Sequence, residues 1–182
     1  MGMLKGFIPS LEEVLKNREN RSLFQKKLSD KFPEQTLISL KCNIPGPVKN
    51  NETIRQLFEI GKTEIEGSLS TNDYEVIYFK EINLPTGPEC FYVVNGLPID
   101  IKQLMIEIEE QKELGRLFDN DVLYNKNGLI ESISRKELKY PLRQCLICKQ
   151  DAKSCGRNRT HQLEELYEKI ENIIRSDGRI RL

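Results

Sequence analysis

Asp119 and Asp121 stand two residues apart in the run Arg116-Leu117-Phe118-Asp119-Asn120-Asp121-Val122-Leu123. In an extended strand alternate side chains share a face, so Leu117, Asp119, Asp121 and Leu123 are expected together. Twice the rise per strand residue puts the two aspartate Cα atoms about 7 Å apart. Carboxylates this close repel each other unless a cation lies with them. Mg²⁺ takes one or two protein carboxylates and leaves its other positions to water and phosphate oxygens. The pattern therefore points to metal-assisted phosphoryl or nucleotidyl transfer, with Asp119 and Asp121 as Mg²⁺ ligands and Arg116 beside them as the third catalytic residue. A solvated acidic face on an edge strand would show the same spacing, although aspartate is depleted in strands.

A second constellation follows downstream. Cys145-x-x-Cys148, Cys155 and His161 fall in order over a short stretch. Reduced thiols and an imidazole at this spacing can hold Zn²⁺ tetrahedrally and staple a loop. Two other readings stay open: free thiols packed under that loop, and a Cys–His nucleophilic pair. Arg143, Lys149, Lys153, Arg157 and Arg159 surround these residues, with Asp151 the lone acid between Gln144 and His161. Arginine forks suit phosphate, and a helix opening near Thr160 would add unpaired N–H groups for an anion. Upstream, the stiff turn Pro45-Gly46-Pro47 presents Lys49, and Arg55 follows it. Lys49, Arg55, Arg143, Arg157, Arg159 and His161 are thus the expected substrate-binding set.

The elements that must carry these residues are legible in outline. Ser10 with Glu13 reads as a capping box opening a helix to about Leu28. Thr36–Ile44 reads as a strand, halted by Pro45-Gly46-Pro47. Ile54, Leu57, Phe58 and Ile65 follow helical spacing from Glu52, with Gly61 in register. Tyr74–Ile82 and Cys90–Val94 read as a hairpin. Asp100 with Gln103 reads as the cap of a helix whose face is Ile101, Leu104, Met105 and Ile108. Arg116–Tyr124 and Leu129–Ser134 read as strands joined by the turn Asn127-Gly128. Leu163, Leu166, Tyr167, Ile170, Ile173 and Ile174 form the stripe of a last helix from near Thr160 to about Arg175. Helices and strands mix without βαβ alternation. That predicts one α+β domain over residues 1–182, with packed helices on a mixed or largely antiparallel sheet.

Composition sets the outer bounds. Lys plus Arg and Asp plus Glu both number 28 in the 182 residues, so no global field draws the chain to nucleic acid or to a membrane. No apolar run approaches the roughly 20 residues of a membrane span, and Met1–Ile8 is too short and weakly apolar for a secretory signal. Five cysteines without such a signal predict reduced thiols and a cytoplasmic setting. Met1-Gly2 and Ser176–Leu182 are expected to fray.

Taken together, these stretches resemble the holo-acyl-carrier-protein synthases of citrate lyase, the apo-citrate lyase phosphoribosyl-dephospho-CoA transferases. The resemblance rests on Pro45-Gly46-Pro47-Val48-Lys49 with Arg55, Phe58 and Gly61, on Ile106-Glu107-Ile108-Glu109, and on Leu114 through Leu123. It continues in Arg143 through Cys148 and in Cys155-Gly156-Arg157-Asn158-Arg159-Thr160-His161-Gln162-Leu163, so it spans roughly residues 10–170. It implies a nucleotidyltransferase-like enzyme whose donor is triphosphoribosyl-dephospho-CoA and whose acceptor is a serine of the citrate lyase acyl carrier (gamma) subunit, with pyrophosphate released. The same site would serve another carrier protein, of the malonate decarboxylase type. A zinc-stapled interaction module without catalysis is the other alternative. Lys112-Glu113 departs from the family, which has His-Pro before Leu-Gly-Arg, and Lys112 is a candidate replacement donor. Glu75, Glu81, Glu89 and Glu107 are open as a third metal carboxylate, and His161 or an aspartate as general base.

Overall fold

In a computed structural model, which describes residues 5–181, one antiparallel sheet of five strands runs in the order β2-β3-β1-β4-β5. The strands are β1 (Thr36–Cys42), β2 (Glu75–Leu84), β3 (Gly87–Asn95), β4 (Phe118–Lys126) and β5 (Leu129–Ser132). The helices are α1 (Leu11–Lys31), α2 (Glu52–Thr71), α3 (Pro98–Gln111), α4 (Ala152–Asn158) and α5 (Leu163–Asp177). Met1-Gly2 and the first residues of the stretch read against a secretory signal lie outside the described residues.

Strand alternation divides the sheet into two unlike faces. Ile38, Leu40, Tyr92, Phe118 and Val122 point to the main core, where they meet Leu57 and Phe58 of α2, Met105 and Ile108 of α3, and Tyr167 and Ile170 of α5. The opposite face carries a smaller cluster of Leu37, Phe91 and Val93 under Leu28 and Phe24 of α1, with Leu123 packed against it. The α+β, antiparallel expectation holds. None of the helices among the described residues is long and apolar enough to cross a membrane.

Local chemistry sets the ends. The Ser10–Glu13 capping box opens α1, with Glu13 N–H donating to Ser10 Oγ at 3.2 Å. Asn127 and Gly128 both take positive φ (54° and 83°), the conformation that lets a two-residue turn match strand twist. Gly61 leaves room for Phe118, whose ring would lie 3.0 Å from an added Cβ.

Several boundaries differ from expectation, and some of these differences bear on the site. α3 starts at Pro98, whose missing N–H costs nothing in a first turn, so Asp100 is not its cap. Leu117 sits in a 3₁₀ turn (Gly115–Leu117) and is buried in the main core, not on the aspartate face. The last helix starts at Leu163, and its entry is filled by Glu165, which accepts from Gln162 N–H at 2.9 Å, so no anion seat opens at Thr160. Past α5 the described residues pack back on the body: Ile180 is buried, and Arg179 pairs with Glu64 and Asp177, both at 2.7 Å.

Candidate active site

The antiparallel register of β3, β1 and β4 aligns Glu89, Lys41 and Asp119 in one row across the sheet. All three lie on the α1 side, with Asp121 one step along β4 beside Ser39. Lys41 Nζ stands 2.6 Å from Asp119 Oδ2 and 3.4 Å from Asp121 Oδ2. An ammonium therefore bridges the two acids that the sequence brought together. Their side chains remain 36% and 50% exposed, so the outer oxygens still face solvent.

Burial works against the Asp119 carboxylate, but the charge and hydrogen bond of Lys41, with Arg143 behind it, hold its carboxyl below the usual range. Lys41 feels the reciprocal pull: burial penalises the ammonium, and Asp119 and Asp121 raise its pKa nonetheless. Behind the strand, Lys102 of α3 is buried and donates to the Asn120 carbonyl at 3.0 Å. Burial lowers its pKa.

Asp119 contacts one lining residue of each of two concave regions. Lys41 on one side lines a cavity of about 140 Å³ with Arg18 and Arg21 of α1, Lys49 and Glu89. Arg143 on the other, with Nη1 3.9 Å from Asp119 Oδ1, lines a groove of about 790 Å³. That groove also presents Arg116, Arg159 and His161, with Pro45-Gly46 as its floor against α5. Gly46 has φ 82°, and a Cβ there would overlap the Tyr167 hydroxyl, which donates to the Pro45 carbonyl at 3.3 Å.

The loop after β5 is clasped to the start of β4. Arg143 Nη2 donates to the carbonyls of Phe118 and, at 3.2 Å, of Arg116, while Arg116 Nη2 donates to the Gln144 carbonyl. The Nε atoms of both arginines are buried without a partner among the described residues. Buried unpaired donors cost about 1–3 kcal/mol each, so an anion oxygen reaching them is favoured.

The loop itself brings the thiols together. Cys145 N–H donates to the Gln150 carbonyl at 2.7 Å and Ala152 N–H to the Arg143 carbonyl at 2.8 Å, folding residues 143–152 into a tight hairpin. Asp151 caps α4, which carries Cys155. The ligand atoms of Cys145, Cys148, Cys155 and His161 then lie within 4.8 Å of one another. His161 Nε2 is 3.3 Å from Cys148 Sγ, and Cys148 Sγ is 3.5 Å from Cys155 Sγ. Burial disfavours the Cys145 thiolate, but the N–H groups of Cys148 and Ile147 outweigh it and lower the thiol's pKa. Burial pushes Cys155 up to about 11.

Of the residues singled out in the sequence, Arg116, Arg143, Arg159 and His161 line one groove, and Asp119, bridged to Asp121 by Lys41, meets it at Arg143. Lys49 does not join them: it lines the smaller cavity and donates to the Ile44 carbonyl at 2.7 Å. Arg55 is held at the exposed start of α2 by Glu52 and Asn50 (2.7 and 3.1 Å). Arg157 is exposed on α4 and lines neither region. Lys112 pairs with Glu64 at 3.0 Å, away from both. Of the glutamates, Glu89 alone lies in the aspartate row, where Arg21 holds it. Glu81 pairs with Lys62 at 2.6 Å, and Glu75 and Glu107 are exposed. Lys41, Arg18 and Arg21 escaped the sequence reading. A lysine inside a buried strand was the signal, since a buried cation needs a partner.

The family model for apo-citrate lyase phosphoribosyl-dephospho-CoA transferase matches residues 9–177. A Streptococcus pyogenes serotype M18 protein, named "Probable apo-citrate lyase phosphoribosyl-dephospho-CoA transferase", is 39% identical over 167 residues, which is 91% of this chain and 85% of its own. The Escherichia coli O1:K1 / APEC protein named apo-citrate lyase phosphoribosyl-dephospho-CoA transferase is 31% identical over 165 residues, covering 91% and 88%. Protein CitXG of Leuconostoc mesenteroides subsp. cremoris is 36% identical over 168 residues, but the match covers 35% of that longer chain.

Proposed function

This chain belongs to the apo-citrate lyase phosphoribosyl-dephospho-CoA transferase family, and on that premise we propose how its residues attach the prosthetic group. The donor is triphosphoribosyl-dephospho-CoA, and the acceptor is a serine of the citrate lyase acyl carrier gamma subunit, in the cytoplasm. The serine oxygen attacks the phosphorus next to the ribose, the bond to the outer two phosphates breaks, and pyrophosphate leaves. One contact carries the reading: the Asp119 carboxylate lies 3.9 Å from the Arg143 guanidinium, which joins the acid pair to an arginine-lined groove.

Arg116, Arg143 and Arg159 grip the triphosphate, and their fixed positive charge meets the charge that builds on the leaving pyrophosphate. Volumes of about 300–1,000 Å³ are usual for cofactor sites, and the groove falls within them. Asp119 and Asp121 would hold Mg²⁺. The donor set fits: two half-exposed carboxylates already share one cation, the Lys41 ammonium. When bound, the ion neutralises phosphate oxygens and the departing pyrophosphate. Lys41 lines the neighbouring cavity with Lys49, Arg18 and Arg21 and would add its charge to theirs for a phosphate oxygen there. His161 is turned onto Cys148, so the serine proton would pass to water at the partly exposed acid pair.

The test is intact-mass detection of the modified carrier after incubation with the donor and apo-carrier. Asp119→Asn and Asp121→Asn are each expected to slow transfer by about 100-fold or more, the scale of losing one preorganised charge. Near-wild-type rates from folded variants would remove the aspartates from the chemistry. Equal modification of a malonate decarboxylase carrier would overturn the acceptor assignment.

A further inference from the structure

We infer that Cys145, Cys148, Cys155 and His161 form a structural zinc site that ties the separate parts of the arginine-bearing loop to one another. The geometry is that of a metal centre with one donor from each residue. Bond lengths of about 2.3 Å to sulfur and about 2.0–2.1 Å to nitrogen make tetrahedron edges of about 3.8 Å between sulfurs and about 3.5 Å between sulfur and nitrogen. The Cys148–Cys155 sulfurs stand at 3.5 Å and the His161 Nε2–Cys148 Sγ pair at 3.3 Å, so two edges already fall within a few tenths of an ångström of those values. All pairs among the four lie within 4.8 Å, which leaves a modest contraction onto a common centre. Ile147 N–H points at Cys145 Sγ at 3.5 Å, the orientation that stabilises a sulfur carrying negative charge.

The loop has the corresponding need. From Ser134 to Leu166, Cys155 is the only buried residue, so this stretch has no apolar core of its own. A segment that buries so little surface requires a staple to hold one conformation. The donors come from its separate parts, namely the hairpin turn, α4 and the turn before α5, so a single ion would tie all three. Four protein donors complete a tetrahedral zinc and leave no position for water or substrate. The role is therefore structural. Three thiolates, a neutral imidazole and Zn²⁺ carry one net negative charge, and Arg143 and Arg159 line the same groove as Cys145, Cys155 and His161. Arg143 and Arg159 reach the groove from this loop, and the ion would fix their positions.

Three observations on the full-length chain, purified without chelator, decide it. Elemental analysis is expected to find about one zinc per chain, and Cys148→Ser to reduce that about tenfold or more. Cobalt exchanged for zinc is expected to give the intense visible bands and sulfur-to-cobalt charge transfer of a tetrahedral thiolate site. Chelation is expected to open residues 134–162 to proteolysis while the sheet stays intact. Should Cys148→Ser not fold, the wild-type stoichiometry and cobalt spectrum settle the matter. A chain that carries no zinc from zinc-replete cells and takes up no cobalt overturns the site, as does a Cys148–Cys155 disulfide in its place. These readouts need no transfer activity, so the site stands or falls apart from the proposed reaction.

Discussion

Lys41→Met separates a metal-binding acid pair from one that is merely neutralised internally. Lys41 Nζ reaches the two Oδ2 atoms at 2.6 and 3.4 Å, so removing its ammonium deletes two ion pairs and leaves the mutual repulsion of the acids uncompensated. With the carboxylate side chains 36% and 50% exposed, each pair sits near the upper end of the scale for exposed pairs, so the two together are worth about 1–2 kcal/mol. For a chain of this size about 1 kcal/mol shifts Tm by about 2–4 °C, so Lys41→Met is expected to lower Tm by about 2–8 °C without added metal. Mg²⁺ then finds the carboxylates unoccupied. Saturation at about 100 times Kd stabilises by about 2.7 kcal/mol, enough to restore the loss. In the native chain the ion must first displace the ammonium, so its Tm gain is smaller at every Mg²⁺ concentration. The assay is a Mg²⁺ titration of Tm for the wild type, Lys41→Met, and Lys41→Met combined with Asp119→Asn and Asp121→Asn. An unchanged Tm in Lys41→Met with no Mg²⁺ response would refute the reasoning. A response that survives loss of both carboxylates would refute it equally.

Two further outcomes follow. Gly115→Ala places a methyl group against the Ile108 carbonyl and 2.9 Å from the Glu109 Cα, backbone that cannot yield cheaply; urea unfolding should show a loss of about 1–3 kcal/mol, whereas Gly67→Ala, open within 4 Å in the second half of α2, should gain about 0.5–1 kcal/mol. Asp119 has a folded pKa below its unfolded value near 3.9, so its contribution is complete above that pH and lost as pH falls through the folded value; the stability gap between wild type and Asp119→Asn, followed by denaturation from pH 7 to pH 2, should narrow below about pH 4.

What the sequence disclosed depended on whether the controlling interaction was local. The Ser10–Glu13 box and the Asn127-Gly128 turn are settled by neighbours in the chain, and both stand where the residues put them. The aspartate pair was legible because strand alternation is local too. Its cation was not: Lys41 reaches Asp119 only through the β1–β4 register, set by strands far apart in sequence. Lys49, Arg55 and Arg157 were grouped with the other cations by charge and motif, but position in space depends on chain direction. Lys49 leaves its turn toward α1, Arg55 caps back onto its own helix, and Arg157 lies on the outer side of α4. The short α4 escaped because its seven residues contain a glycine and bury one side chain, too little for a periodic pattern.

Arg143 shows why the acids and the groove act as one unit. Its guanidinium satisfies main-chain carbonyls of Arg116 and Phe118 where the strand has just begun, and Arg116 returns a bond to the Gln144 carbonyl. The clasp fixes the loop relative to β4 and also presents the remaining guanidinium N–H groups toward Asp119 and the groove. A lysine could supply the charge at one point, but it has no planar fork to span two carbonyls and a carboxylate together. The arrangement therefore argues against the loop being a detachable metal-bound module. Arg143 and Arg116, which clasp it to β4, also line the arginine-rich groove, so loosening the loop is expected to disturb the geometry around Asp119 as well.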